Sequence, residues 1–162
     1  LWAEAGPFTE TAPPEADLHE FPCTPLGAQP FLDPFDTTTR LGGDITTKMY
    51  REDAEALAAY DRWTDRTRHP IHKLGGWPNV VQGEMEDHCT LMLQGADPAN
   101  ATEEEWERAF DADLDWRLLF QISGSAPSHM EWDDAGTLYV WILVEDLAKR
   151  RFDRTCVIVQ SG

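Results

Sequence analysis

The densest group of residues able to do chemistry lies between Gln82 and Cys89. This stretch contains three carboxylates, an imidazole and a thiol, contributed by Glu84, Glu86, Asp87, His88 and Cys89. Carboxylate oxygens suit Mg²⁺ or Ca²⁺, whereas imidazole and thiolate suit Zn²⁺. Because alternate side chains of a strand share a face, a strand here would bring Glu84, Glu86 and His88 together. Asp87 and Cys89 would then lie on the other face, with Cys89 packed in the core.

A second set of candidate ligands lies near the end of a predicted helix. His69 and His72 flank Pro70, and with His88 they could form the three-imidazole site that catalytic zinc uses. Histidines at the C-terminal end of a helix also stabilise its dipole, which is the purely structural interpretation. A metal-dependent or acid/base enzyme with a site at His72, Glu84, Glu86 and His88 is therefore an alternative function, and we expect no cofactor.

Motifs for nucleophilic catalysis and nucleotide binding are weak. Ser123-Gly124-Ser125 does not match the G-x-S-x-G nucleophile elbow of serine hydrolases. The pairs Gly42-Gly43 and Gly75-Gly76 lack the later Gly and Lys of phosphate-binding loops. Both pairs are predicted to be turns that need an unusual φ.

Several tryptophans lie close to carboxylates in the sequence. Trp132 to Gly136 is predicted to be a tight turn that leads into a strand, with Gly136 at positive φ. The functional alternative is a cleft for a small cationic ligand, lined by Trp77, Trp132 and Asp134, since carboxylates and aromatic faces both attract cations. Trp116 and Trp141 fall on strand faces that we assign to the core.

Charge gives the broadest functional indication. The 162 residues include 13 Lys and Arg against 30 Asp and Glu, for a net charge of −17. Such a chain repels phosphate backbones and anionic lipids, so we expect neither nucleic acid nor membrane as a partner. Long-range attraction instead favours a basic protein partner. Residues 84–115 hold eleven acidic residues and one basic residue, which makes Glu84, Glu86, Glu103, Glu104 and Glu107 candidate binding residues.

Length and cysteine content restrict the class of protein further. A chain of this length is typical of one domain, and its longest apolar runs have the length of a strand rather than of a membrane helix. Three cysteines without a C-x-x-C motif argue against a disulfide framework and favour the cytoplasm. No basic stretch precedes an apolar core at the N-terminus, so we expect no signal peptide.

The first part of the chain differs in composition from the rest. Residues 1–39 contain seven acidic residues, seven prolines and no Lys or Arg, which is typical of an extended arm. Its aromatic residues, Phe8, Phe21, Phe31 and Phe35, favour docking over full disorder. We divide the chain into an acidic Pro-rich arm, 1–45, and a domain, 46–162.

The remaining pattern predicts a few short helices and several strands. Helices are expected over 51–68, ended by Pro70, over 103–110, started by a Thr102–Glu105 capping box, and over 144–151. Alternating apolar residues predict strands within 89–93, 116–122, 138–143 and 156–160. Strands separated by turns favour an α+β fold with a mainly antiparallel sheet.

Five blocks of sequence, in order, resemble the YwqG-like family of bacterial proteins. They are His72–Pro78, Val81–Met85, Leu118–Ile122, Trp132–Ile142 and Phe152-Asp153. The resemblance implies an α+β fold rich in antiparallel sheet, in a family of unknown function without established catalytic residues. The chain departs from it at Ser123, where an acid is expected, and at Asp133, where Gly is expected.

The resemblance and the charge together give the leading functional hypothesis. We expect a cytoplasmic protein-binding module, of the immunity or antitoxin kind, that neutralises a basic partner with its acidic surface. The oligomeric state is left open.

Overall fold

The computed structural model describes residues 27–35, 40–67, 72–124 and 130–162. Within these ranges five α-helices accompany one four-stranded antiparallel sheet, which confirms the predicted α+β class. The helices are α1 (Arg40–Glu52), α2 (Ala54–Thr67), α3 (Glu86–Leu93), α4 (Glu103–Asp111) and α5 (Val144–Ala148). The strands are β1 (Lys73–Leu74), β2 (Trp116–Ser123), β3 (Thr137–Leu143) and β4 (Cys156–Gln160).

The sheet follows the order of the sequence. Each strand pairs antiparallel with the next, from β1 through β4, and the predicted strands at 116–122, 138–143 and 156–160 are confirmed. A register shift interrupts the β2–β3 pairing between Leu118 and Phe120. Trp116 and Trp141 are buried as predicted, in a core that also includes Met85 and Cys89 from the start of α3.

The strand predicted around 89–93 is wrong, because this segment is helix α3. Cys89, Leu91 and Leu93 alternate in sequence, yet the residues that α3 buries are the consecutive Cys89, Thr90 and Leu91. Acidic Glu86 lies in the first helical turn, where it interacts favourably with the helix dipole. The convergence of Glu84, Glu86 and His88 that a strand would have produced is therefore lost.

The other helices agree with the sequence in different degrees. The capping box of α4 is confirmed: Glu105 N donates to Thr102 Oγ1, and Thr102 N donates to Glu105 Oε2 at 2.7 Å. The helix predicted at 51–68 is confirmed as α2, except that its first two residues end α1. Asp53, between the two helices, accepts a hydrogen bond from Ala56 N at 2.9 Å. The turn predicted at Gly42-Gly43 is wrong, since both residues lie within α1.

Two turn predictions depend on glycine. Gly75 and Gly76 have φ of 66° and 78°, as predicted. The prediction of positive φ at Gly136 is wrong. In this turn the positive φ values belong to Asp133 (52°) and Ala135 (51°). A Cβ atom at Gly136 would stand 2.0 Å from the carbonyl oxygen of Trp132, so close approach of the backbone requires this glycine. The left-handed backbone of Asp133 is one that glycine adopts more readily than other residues.

Part of the predicted arm lies outside the described residues, including Phe8 and Phe21. In the described segment 27–35, the Phe35 ring stacks on Tyr60 of α2 with centroids 4.7 Å apart. The predicted division between residues 45 and 46 falls inside α1, and it stays a prediction.

Candidate functional site

An irregular segment between β1 and α3, residues 75–85, is held in place by buried polar side chains of the sheet. We call it the 75–85 loop. Gln121 of β2 accepts a hydrogen bond from Asn79 N at 2.9 Å, and the Tyr139 hydroxyl of β3 donates to the Asn79 carbonyl. Both side chains are almost fully buried. Buried polar groups of this kind are stable only when paired, so they fix the loop backbone at one position.

Gln160, at the end of β4, holds the second half of the same loop. Its Oε1 accepts hydrogen bonds from Val81 N at 3.0 Å and Gln82 N at 3.1 Å. Its Nε2 donates to the Gly83 carbonyl at 2.9 Å. One buried amide therefore replaces three bonds that a regular element would have supplied.

A buried ion pair ties the 27–35 segment to the loop. Lys73 Nζ, whose side chain is 2% exposed, donates to Asp33 Oδ1 at 2.8 Å and to Asn79 Oδ1 at 2.8 Å. The second oxygen of Asp33 accepts a hydrogen bond from Trp77 N at 2.7 Å. A Cβ atom at Gly76 would stand 2.1 Å from Asp33 Oδ2, so this contact also requires glycine. The position of Trp77 thus depends on Asp33, more than forty residues away in sequence.

Trp77 lines a concave site that we call the main groove, with a volume of about 370 Å³. Its walls come from the 75–85 loop, the start of α3, the segment after α4 and the start of β2. The lining residues are Trp77, Pro78, Glu84, Glu86, Asp87, Thr90, Phe110, Asp113, Leu114, Asp115, Trp116 and Arg117. Carboxylates and aromatic rings therefore dominate the groove.

The charge of the main groove is strongly negative. Five carboxylates face one guanidinium, that of Arg117, which is itself paired with Asp115 at 3.0 Å. Burial raises the pKa of Glu86 above the 4.5 of an ordinary glutamate, and the nearby charges of Glu84 and Asp87 raise it further, against lowering by backbone hydrogen bonds. A bound cation would lower the pKa of Glu86 again, since a nearby opposite charge favours the ionised carboxylate.

A second concave site, the α4 groove, adjoins the first. It has a volume of about 500 Å³ and shares Asp87 and Phe110 with the main groove. Its other lining residues are Trp106, Glu107 and Asp111. Phe110 is 54% exposed, and the His88 ring packs edge-on against Trp106 with ring centroids 4.8 Å apart. The two sites together are called the acidic groove below.

The structure brings together some of the predicted binding residues. Trp77, Glu84 and Glu86 share the main groove, and Glu107 lies in the α4 groove. Glu103 and Glu104 are exposed in the first turn of α4 and line neither cavity.

Two further predicted residues lie elsewhere. Trp132 and Asp134 belong to the turn before β3, where the Asp134 carbonyl accepts a hydrogen bond from Gly162 N at 3.3 Å. Neither residue lines the acidic groove. Trp77 is therefore grouped with Glu84 and Glu86 rather than with Trp132 and Asp134.

The alternative metal site is not assembled in the described part of the chain. His72 Nδ1 accepts a hydrogen bond from Ser123 N at 3.3 Å, whereas His88 packs on Trp106. Across residues 27–35, 40–67, 72–124 and 130–162, no three His, Cys, Asp or Glu side chains are placed to hold one metal ion. His69 lies outside these ranges.

The sequence did not indicate that Trp106 and Phe110 belong to the groove. Their four-residue spacing is typical of the apolar stripe of a helix, but Ala109 is the residue that α4 buries. The available signal was their acidic surroundings, because Glu107 and Asp111 directly follow the two aromatic residues. An apolar stripe bordered by carboxylates is a poor core face and a suitable surface for cations.

The fold and groove define an α+β domain with one antiparallel sheet and an acidic, aromatic-lined cleft. A family model described as Domain of unknown function (DUF1963) matches residues 9–161, and the chain belongs to this family. Comparison with curated proteins gave no significant match. Each helix in the described ranges is too short or too polar to cross a bilayer.

Proposed function

We propose that the protein is a binding module that captures a basic segment of a partner protein in its acidic groove. The observation that carries this proposal is the main groove itself, in which five carboxylates and three aromatic rings surround one cavity. Lys and Arg side chains pair with carboxylates and also stack on aromatic faces, so this lining suits them on both counts.

The shape of the site favours a polypeptide over a single small cation. The two cavities adjoin through Asp87 and Phe110 and offer about 370 and 500 Å³. A peptide could place one basic side chain beside Trp77 and another beside Trp106. Acidic side chains around such a groove would also accelerate association with a positively charged partner.

The finer parts of the proposal rest on the sequence. The motif blocks at His72–Pro78 and Trp132–Ile142 support a YwqG-like bacterial protein, and the negative charge supports an immunity or antitoxin role in the cytoplasm. Neutralising a basic toxin would use the same groove. Nucleic acids and anionic membranes are poor partners for this surface, because their phosphates would meet its carboxylates.

A small cationic ligand is the second candidate. The main groove alone falls within the ~300–1,000 Å³ typical of ligand sites. Trp77, Glu84 and Glu86 would then bind an ammonium or guanidinium group without the α4 groove. Substitution of Trp106 distinguishes the two candidates, because it would weaken a peptide and leave a small ligand unaffected.

Calorimetric titration with synthetic peptides tests the proposal. Twelve-residue Arg-rich and Lys-rich peptides should bind, a Glu-rich peptide should not, and added salt should weaken binding. A groove variant, Glu84→Gln with Glu107→Gln and Asp113→Asn, should lose most of the affinity. A control variant, Glu103→Gln with Glu104→Gln and Glu131→Gln, removes the same charge from exposed positions outside the groove.

The two variants decide between a site and a diffuse field. Equal losses of affinity in both variants would show that net charge, rather than the groove, attracts the peptide. Binding that is unchanged in the groove variant would contradict the proposal outright.

A further inference from the structure

Sulfur atoms cluster on the side of α3 that faces the sheet. Met85, Cys89 and Met92 follow one another at spacings of four and three residues, so they share one face of the helix. Met85 and Cys89 are fully buried in the same core cluster as Cys156, the first residue of β4. Helix and strand therefore bring together sulfur atoms that are far apart in sequence.

Three of these sulfur atoms lie within reach of one another. Cys156 Sγ is 3.6 Å from Met92 Sδ. Cys89 and Cys156 pack in the same buried core cluster, where the neighbouring Cys156 thiol and then burial raise the pKa of Cys89. Both cysteines are free thiols. Two thiols and one thioether thus pack together between α3 and β4.

We propose that Cys89, Cys156 and Met92 form a binding site for a soft monovalent cation, copper(I). Thiolate and thioether sulfur are the donors that select Cu(I) over harder ions. Metal–sulfur bonds of about 2.3 Å, as zinc thiolates have, would place two sulfurs 3.6 Å apart at an angle of roughly 100° around a shared ion. That angle is compatible with a three-coordinate or four-coordinate site.

Binding would release protons without any transfer of electrons. Each cysteine that coordinates as a thiolate gives its thiol proton to solvent, and copper keeps its single positive charge. Metal affinity at thiolate sites is therefore pH-dependent. Copper(I) competes with the proton for the same sulfur.

The site is accessible from one side and separate from the acidic groove. Met92 is 44% exposed and its sulfur contacts that of Cys156, so the proposed site lies at the edge of the core. The groove instead uses Glu86, Asp87 and Thr90 of the same helix. Failure of this inference would therefore leave the proposed peptide-binding function untouched.

Competition with a coloured chelator tests the site. Reduced full-length protein, without oxygen, is titrated into the copper(I) complex of bicinchoninate, and loss of colour measures the copper transferred. We expect one copper per chain. Cys156→Ala should abolish transfer, and Met92→Leu should weaken it by at least the roughly 10- to 100-fold that loss of an outer-shell partner costs at metal sites.

Cys23→Ala and Met130→Leu provide matched controls and should retain full transfer. Circular dichroism of each variant checks that the fold persists, and the exposed position of Met92 keeps the test informative if Cys156→Ala unfolds. No transfer to the wild-type chain would overturn the inference. Transfer that survives in Cys156→Ala and Met92→Leu but is lost in Cys23→Ala would also overturn it.

Discussion

The 75–85 loop and the helices α3 and α4 both line the acidic groove, but they are held by different forces. Buried side chains of three strands and the Lys73–Asp33 ion pair hold the loop. The helices rely on their own backbone hydrogen bonds, on caps and on packing of Met85 and Cys89. Most of their acidic side chains are exposed, whereas Glu86 is partly buried.

This difference separates the residues that position the loop from the residues that would bind a partner. A loop fixed by buried polar groups tolerates few changes, since an unpaired partner left behind is costly. Exposed helical carboxylates can change with little effect on the fold, because most surface substitutions alter stability by less than about 0.5 kcal/mol. Loss of stability should therefore follow substitutions behind the loop, whereas loss of binding should follow those on the helices.

Breaking the ion pair behind the loop should have the largest effect on stability. Asp33→Ala leaves the Lys73 ammonium buried without its carboxylate, which typically costs about 3–5 kcal/mol. Urea unfolding measures the change. Asp115→Ala breaks the exposed pair with Arg117 and should cost no more than about 1 kcal/mol. Similar values for the two variants would show that burial of Lys73 contributes nothing.

Removing the amide of Gln160 should have the next largest effect. Gln160→Ala leaves two backbone N–H groups and one carbonyl of the loop without their partner, at a cost of about 2–3 kcal/mol once water has reached the more exposed groups. The unfolding midpoint in urea reports it. Gln82→Ala removes an exposed hydrogen bond to Ser161 and serves as the control. A Gln160→Ala chain as stable as Gln82→Ala would refute the account of the loop.

Removing the cap of α4 should have a smaller effect. Thr102→Ala deletes the side-chain half of the capping box and should cost about 1 kcal/mol. Thr155→Ala, which loses an exposed hydroxyl bond outside α4, is a suitable control. We expect Thr102→Ala to bind the peptide as tightly as wild type. A loss of affinity together with stability would show that fraying of α4 disturbs the groove, which would contradict the separation between residues that stabilise the fold and residues that bind.

Neutralising Glu86 should give the smallest change, and in the opposite direction. Its pKa is raised in the folded chain, so its contribution to stability is fully present below the unfolded pKa and is lost as pH rises through the folded pKa. Glu86→Gln keeps an acceptor for Met85 N and should be more stable than wild type near neutral pH. The advantage should vanish in acid. Urea unfolding of both chains from acid to neutral pH measures the difference in stability. An advantage of Glu86→Gln that grew in acid would contradict a raised pKa of Glu86.

The sequence predicted three of the four strands and the cap of α4 because their signals are local. Alternation in 116–122 and the Thr102–Glu105 spacing each depend on a few neighbouring residues. Helix α3 was mistaken for a strand because its short apolar run fits both periods, and only burial against Cys156 and Trp141 distinguishes them. Short apolar runs are ambiguous in this way whenever tertiary contacts decide the structure.

The sequence predicted which types of residue form the candidate site, but not how they are grouped. Acidic and aromatic residues between 77 and 117 indicated affinity for cations, but their grouping depends on long-range contacts. Asp33 fixes Trp77 from a distant segment, and Gln121 and Gln160 resemble solvent-facing strand residues although both are buried. A buried amide that bonds a loop leaves no pattern in a single sequence.

Nuclear magnetic resonance mapping of a bound Arg-rich peptide tests the central claim most directly. Backbone and indole resonances of the ¹⁵N-labelled chain are followed during titration with the twelve-residue peptide. The account predicts shifts concentrated at Trp77, Glu86, Trp106 and Phe110, with Glu103 and Trp132 little changed. Shifts that follow every exposed carboxylate equally, or that leave Trp77 and Phe110 unmoved, would contradict a groove that recognises basic segments.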